Sequence, residues 1–542
     1  MSSGMPALPP SYYENFVESL AQIISKLLTD KETEAVLASI RSFQDKLKRL
    51  SSQNLTRLQL EAAAREKQLR GAKYCQHEGK TCTQNWVRGF LKAFVVGYSI
   101  KYLLGILPPL LTGKVFKRPG ILRQVAGRDT AMFALFLSTF LSSYKGVLCL
   151  MRRIRKSADP NADRLNAFVA GAVAGLSLII DKDKRRRQSI MMYLLTRAIQ
   201  FTGAFLMKQW AIARKARANR ELAELKEKID REGFAPDEPR QLVVKKKWDD
   251  HLAKFLQRWA GVFVMVIANV QIIYAFLFHA DTLPKSYFGF LLTHSGWKGK
   301  FGKMASPLAH TIGETVDKLS QDTGPICMPE GTTSREFIAK NVSSNVATII
   351  PPNIRHKYIM CALQHPLEPS CSRDKLNLFR DEYIRALKLY VPLNVIMTLV
   401  FRSAQMKTQP GTVLSKFLYS CARSGFFLAM YVTMAYCTPC TLRPIVGKER
   451  HWIYMVTGGV GGAMTFLEAR GRQLELGLYC LTRAMESWWK VAVKRGYARS
   501  LPYGDVGLFM LAMGTLMTMY QNDKDTISSH YLAVMTRFFG QN

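Results

Sequence analysis

Gly171-Ala172-Val173-Ala174-Gly175, then Asp181, then Tyr193-Leu194-Leu195-Thr196-Arg197-Ala198 is a phrase written twice in this chain. It returns 287 residues later as Gly458-Gly459-Val460-Gly461-Gly462 and Glu468, and 286 later as Tyr479-Cys480-Leu481-Thr482-Arg483-Ala484. In both copies the acid falls six residues after the second glycine, and the tyrosine precedes the arginine by four. A second echo accompanies each copy: Asp281-Thr282 with Tyr287, and Asp525-Thr526 with Tyr531, again equally spaced. A recurrence of this kind reads as tandem duplication, and it sets the fold before any single element does.

The repeated stretches are apolar. Trp259 to Phe278 is twenty residues without a charge, about the length that crosses a bilayer, and Ser424 to Leu442 is nineteen. Shorter runs cover Leu165–Ile180, Trp452–Leu467 and Val506–Asn522; two more carry one internal cation, Lys145 or Arg197. The expected fold is therefore all-α, a polytopic membrane protein of two tandem homologous helical units with about four to five transmembrane segments each. Residues 1–73 read as an amphipathic and charged helical region, with Phe16, Leu20, Ile24 and Leu27 on one face. The first unit spans 75–296, with a charged helical insert at 211–250. A polar linker, 297–360, leads to the second unit, 361–542. Five segments per unit would invert one half relative to the other, and four would leave them parallel.

The chain carries 76 Lys and Arg against 40 Asp and Glu, a net charge of +36. Arg152-Arg153-Ile154-Arg155-Lys156, Lys184-Arg185-Arg186-Arg187 and Lys245-Lys246-Lys247 flank apolar runs, a placement suited to anionic lipid headgroups. The expected partners are the bilayer with its anionic lipids, and a second copy of the chain or another protein of the same membrane. No nucleic-acid-binding module is present, so nucleic acid is not an expected partner. No phosphate-binding glycine loop, Gly-x-Ser-x-Gly or His-Glu-x-x-His is present either, and neither an enzyme nor a cofactor is expected.

Gly171 and Gly175, like Gly458 and Gly462, lie one turn apart on a helix, where small residues let another helix approach closely in lipid. Arg197 and Arg483 interrupt apolar segments, a costly position that calls for a partner or water. With Glu486, Lys145, Asp181 and Glu468 they form a candidate polar centre. It either holds an anionic ligand or consists of structural ion pairs. Two Cys/His groups, Cys75-His77-Cys82 and Cys361-His365-Cys371, each lack a fourth metal ligand and fit no standard finger spacing, so no metal is expected. Cys437-Thr438-Pro439-Cys440 has a redox-like spacing, but no strand–helix context to activate a thiol.

At Ser143-Tyr144-Lys145-Gly146, Cys149, Arg152, Ile154-Arg155 and Ala170-Gly171, Ala174-Gly175, Ser177 the chain resembles the transmembrane protein 135 family. So do Cys82 with Arg88-Gly89-Phe90, and Thr282-Leu283 with Ser286-Tyr287. The second unit resembles that family's Cys-rich module at His365, Pro369-Ser370-Cys371 and Lys388-Leu389-Tyr390-Val391-Pro392-Leu393. Here the module comes after the unit it normally precedes. The resemblance implies an integral protein of the peroxisomal or mitochondrial membrane, tied to lipid metabolism and mitochondrial dynamics, with a transporter-like or membrane-organising role. The glycine helices are more distantly similar to the Tim translocase family of the mitochondrial inner membrane, which implies a translocase or channel component as the alternative. A scaffold for organelle division is the third reading.

Overall fold

The computed structural model describes residues 82–111, 118, 120–155, 160–232, 238–321 and 326–540. The N-terminal region, Cys75 and His77 lie outside them. Among the described residues the structure is helical, and its one β contact is an isolated bridge between Cys327 and Tyr358.

The helices are α1 (Cys82–Leu111), α2 (Gly120–Val125), α3 (Arg128–Arg155), α4 (Pro160–Gly175), α5 (Lys184–Glu232), α6 (Glu238–Phe278) and α7 (Lys285–His294). Next come α8 (Trp297–Phe301), α9 (Ala305–Gln321), α10 (Ser334–Asn341), α11 (Ser344–Ala347), α12 (Ile359–Gln364), α13 (Cys371–Thr408) and α14 (Pro410–Val446). The last four are α15 (His451–Ala463), α16 (Arg470–Lys494), α17 (Gly504–Asn522) and α18 (Ser529–Phe539). Sequence sets their ends. Pro160 opens α4, where its missing N–H costs nothing. Asp183 accepts from the backbone N–H of Arg185 and Arg186 at the start of α5. Thr333 and Glu336 form a capping box on α10. Gly447, at φ 67°, ends α14 in the left-handed conformation.

Leu387–Ala422 separates from the larger unit formed by Tyr74–Ala386 and Arg423–Asn542. Within Leu387–Ala422, Ser420 Oγ donates to Asn394 Oδ1 at 2.9 Å and ties α14 to α13.

The larger unit holds two buried apolar clusters. One is built on Phe136, Phe140, Leu141 and Tyr144 of α3, Ala167, Ala170 and Ala174 of α4, Phe201 of α5, Phe509, Met513 and Met517 of α17, and Phe539 of α18. The other joins Met265, Ala268 and Ile272 of α6, Tyr287 of α7, Leu308 and Ile312 of α9, Ile453 and Tyr454 of α15, and Cys480 and Ala484 of α16. Each cluster therefore mixes helices from the first and second expected units.

The glycine helices show why. A Cβ on Gly171 would stand 2.6 Å from the Met513 carbonyl, and one on Gly175 2.8 Å from Met510 Cα, so α4 lies backbone to backbone on α17. A Cβ on Gly458 would strike the Asn269 carbonyl and one on Gly462 would stand 2.9 Å from that of Met265, so α15 lies in the same way on α6. The glycine helix of each copy thus docks on the helix that leads to the other copy's Asp-Thr…Tyr echo.

Among the described residues, six helical stretches are long and apolar enough to cross a membrane: Asn85–Ile106, Gly120–Arg155, Asp163–Ile180, Lys184–Glu221, His251–Phe278 and Pro410–Val446. Leu91, Val95, Leu103 and Leu104 on α1 and Ile267 on α6 are exposed, as lipid-facing side chains of an integral membrane protein would be. Five of the six stretches lie in the first expected unit and one lies in the second. The expected four to five per unit is not matched in the second half. There α15 has 13 residues, α16 carries many charges, and α17 mixes glycines and polar residues among its apolar ones. Residues 297–360 are not a plain linker: Leu308, Ile312 and Val316 give α9 a buried face inside the second cluster. Their four-residue spacing is a helical signal hidden by the polar average of the segment.

Candidate functional site

Arg197 on α5 is 6% exposed and reaches across to α16. Its Nη1 donates to Glu475 Oε1 at 3.1 Å and to Gln200 Oε1 at 2.8 Å; Nη2 donates to Glu475 Oε2 at 2.6 Å. This forked geometry is the strong form of an arginine–carboxylate contact. The guanidinium also lies over the rings of Tyr531 (4.5 Å) and Tyr193 (5.2 Å), and Tyr531 Oη donates to Glu475. Because α5 belongs to the first cluster and α16 to the second, the Arg197–Glu475 pair joins the two.

Arg483 stands at the matching place on α16. Its Nη1 donates to Glu486 Oε2 at 3.4 Å and its guanidinium lies 5.6 Å from the Tyr479 ring centre, which in turn meets Tyr287 edge-on. Lys490 donates to Glu486 Oε1 at 2.8 Å and to the Thr282 carbonyl. The two arrangements share a plan: Tyr193, Arg197 and Tyr531 on one side, Tyr479, Arg483 and Tyr287 on the other. Each takes its second tyrosine from the other copy's echo. Two further ion pairs obey the same exchange, Lys208 with Asp525 and Lys494 with Asp281 at 3.3 Å. Lys208 and Lys494 lie equally far beyond Tyr193 and Tyr479. That spacing was available in the sequence and shows its meaning only once the acids are placed beside them.

The other members of the expected polar centre lie in local networks of their own. Asp181 is fully buried and takes two hydrogen bonds from Arg186, at 2.5 and 2.6 Å, while Arg186 also holds Asp129. Glu468 is buried beside Arg472 at 3.2 Å and accepts from the Ala469 N–H; Arg423 donates to the Leu467 and Glu468 carbonyls. Lys145 donates to Asn85 Oδ1 at 3.0 Å. Of the six, the structure brings Arg483 and Glu486 together, and it pairs Arg197 with Glu475, a residue the sequence did not single out.

The Cys/His group of the second half gains a member. Cys361 lies on α12, His365 caps that helix, Cys371 opens α13, and Cys440 comes from the last turns of α14. Their four ligand atoms all lie within 4.8 Å of one another. Cys361 Sγ is 3.8 Å from Cys371 Sγ, and Cys371 Sγ is 3.3 Å from His365 Nε2. His365 Nδ1 faces the Glu368 carbonyl at 2.7 Å, which places a proton there and turns Nε2 toward the thiols. Arg443 donates to Cys361 Sγ at 3.2 Å and is itself held by Glu449. Hydrogen bonds from Cys361 and Cys440 hold the Cys371 thiol well below its ordinary range. Cys82, from the other Cys/His group, begins α1.

No family model matches the chain, and no solved structure matches it.

Proposed function

We propose that this is a non-enzymatic, multi-pass protein of the peroxisomal or mitochondrial membrane, built by duplication. Its role is transporter-like or membrane-organising and linked to lipid metabolism and mitochondrial dynamics. The single observation that carries the reading is the reciprocal exchange: two related helical sets, each closed by the other's helix, tied by the pair of buried Arg197 with half-exposed Glu475. Related halves that meet at a polar contact among apolar helices are a recurrent plan of membrane transporters. An ion pair in such a place is costly unless it serves packing or a change of state. The six apolar stretches and their basic flanks favour a bilayer with anionic lipids. The organelle is inferred from the resemblance to the transmembrane protein 135 family.

The experiment is fractionation of tagged full-length protein on a density gradient, with alkaline carbonate extraction and lipid analysis of the purified material. Carbonate-resistant signal in peroxisomes or mitochondria, with co-purifying anionic lipid, supports the reading. Release by carbonate contradicts it. The glycine-docked helices also suit a Tim-like translocase, which would instead crosslink to an arrested preprotein.

A further inference from the structure

We propose that Cys361, His365, Cys371 and Cys440 bind one zinc ion in a closed structural site. Zinc held by thiolate and imidazole has metal–ligand lengths of about 2.3 Å to sulfur and 2.0–2.1 Å to nitrogen, in a tetrahedron. A tetrahedron of that size has a sulfur–sulfur edge of about 3.8 Å and a sulfur–nitrogen edge of about 3.5 Å. The Cys361–Cys371 and Cys371–His365 separations are 3.8 and 3.3 Å. A disulfide would bring the sulfurs to about 2.05 Å. The spread of the four ligand atoms, within 4.8 Å, suits a single ion.

The surroundings match a metal centre as well as the ligands do. The Nδ1 contact of His365 with the Glu368 carbonyl orients the ring so that Nε2 coordinates. The Arg443 N–H on Cys361 Sγ offsets the excess negative charge that three thiolates place on a divalent ion. Cys361 and His365 are buried, which excludes water from the coordination sphere. Three thiolates and an imidazole are soft donors that select zinc over calcium or magnesium. Four protein ligands leave no open position, so the ion ties α12, the start of α13 and the end of α14 together and performs no catalysis. The segment that packs α9 to α12 against the second cluster is thereby pinned to a membrane-crossing helix.

The test is metal analysis of the purified full-length protein in detergent, with iron and zinc measured together, and thiol mapping by mass spectrometry. The expected result is about one zinc per chain, with Cys361, Cys371 and Cys440 protected from alkylation until a chelator is added. Replacing the zinc with cobalt should give thiolate-to-cobalt charge-transfer absorption. Cys440→Ser should lose the zinc, whereas Cys437→Ser, three residues away and outside the cluster, should keep it. If ligand variants fail to accumulate, the native protein's zinc content and cobalt spectrum still decide. Zinc far below one per chain, a Cys361–Cys371 disulfide, or iron in place of zinc would overturn the proposal.

Discussion

Arg197 and Glu475, 278 residues apart in sequence, are joined by two hydrogen bonds of 3.1 and 2.6 Å between α5 and α16. Glu475 is about half exposed, so its loss costs less than breaking a fully buried pair would. Glu475→Ala is expected to lower stability by about 1–3 kcal/mol, the cost of leaving the buried Arg197 donors without their acceptor. Arg197→Lys should recover the charge but not the fork, and fall between. A double-mutant cycle on thermal unfolding in detergent checks this; additive effects of the two substitutions would mean that the pair carries no coupling.

The glycine contacts predict an asymmetry among glycine-to-alanine changes. At Gly171 and Gly458 a methyl meets a backbone carbonyl that cannot swing aside. Each is expected to cost about 1–3 kcal/mol, the usual effect of overpacking. At Gly203 on α5 nothing stands within 4 Å, so alanine should stabilise by about 0.8–1.0 kcal/mol through helix propensity. Melting temperatures of the three variants, measured side by side, decide.

Arg443 is buried with Glu449, and Tyr454 Oη donates to the same carboxylate at 3.3 Å. Arg443→Met leaves that carboxylate buried without a cation, a loss of about 3–5 kcal/mol. The double variant Arg443→Met with Glu449→Leu should regain much of it, since replacing a buried pair by apolar residues is often near neutral. Accumulation in the membrane and thermal unfolding are the readouts. A double variant no better than the single one would show that Arg443 acts through Cys361 and Gln364 rather than through Glu449.

Much of the helical content was legible in the sequence, because charge-free runs such as Trp259–Phe278 leave little choice of structure in lipid. The docking role of Gly171, Gly175, Gly458 and Gly462 was legible too, since paired small residues one turn apart have few other uses. Their partners were not. A repeat says that two segments are alike, and it does not say whether each copy closes on itself or on the other. The echo at Asp281 and Asp525 held the answer only in combination with Lys208 and Lys494. Glu475 was hidden because its equivalent position in the first copy carries no acid. Cys440 was missed for a different reason. It lies far from Cys371 in sequence, and its nearness to Cys437 suggested a local thiol pair instead of a ligand brought in by the end of α14. Residues 297–360 looked like linker because their average is polar, while the spacing of Leu308, Ile312 and Val316 is helical.

The exchange itself is tested most directly by zero-length carbodiimide crosslinking of the full-length protein in its membrane, with the products read by peptide mass spectrometry. Lys208 meets Asp525 and Lys494 meets Asp281, each pair exposed and within ion-pair reach. The predicted products are the isopeptides Lys208–Asp525 and Lys494–Asp281. Isopeptides Lys208–Asp281 and Lys494–Asp525 in their place would mean that each copy closes on its own helices, and would contradict the exchange.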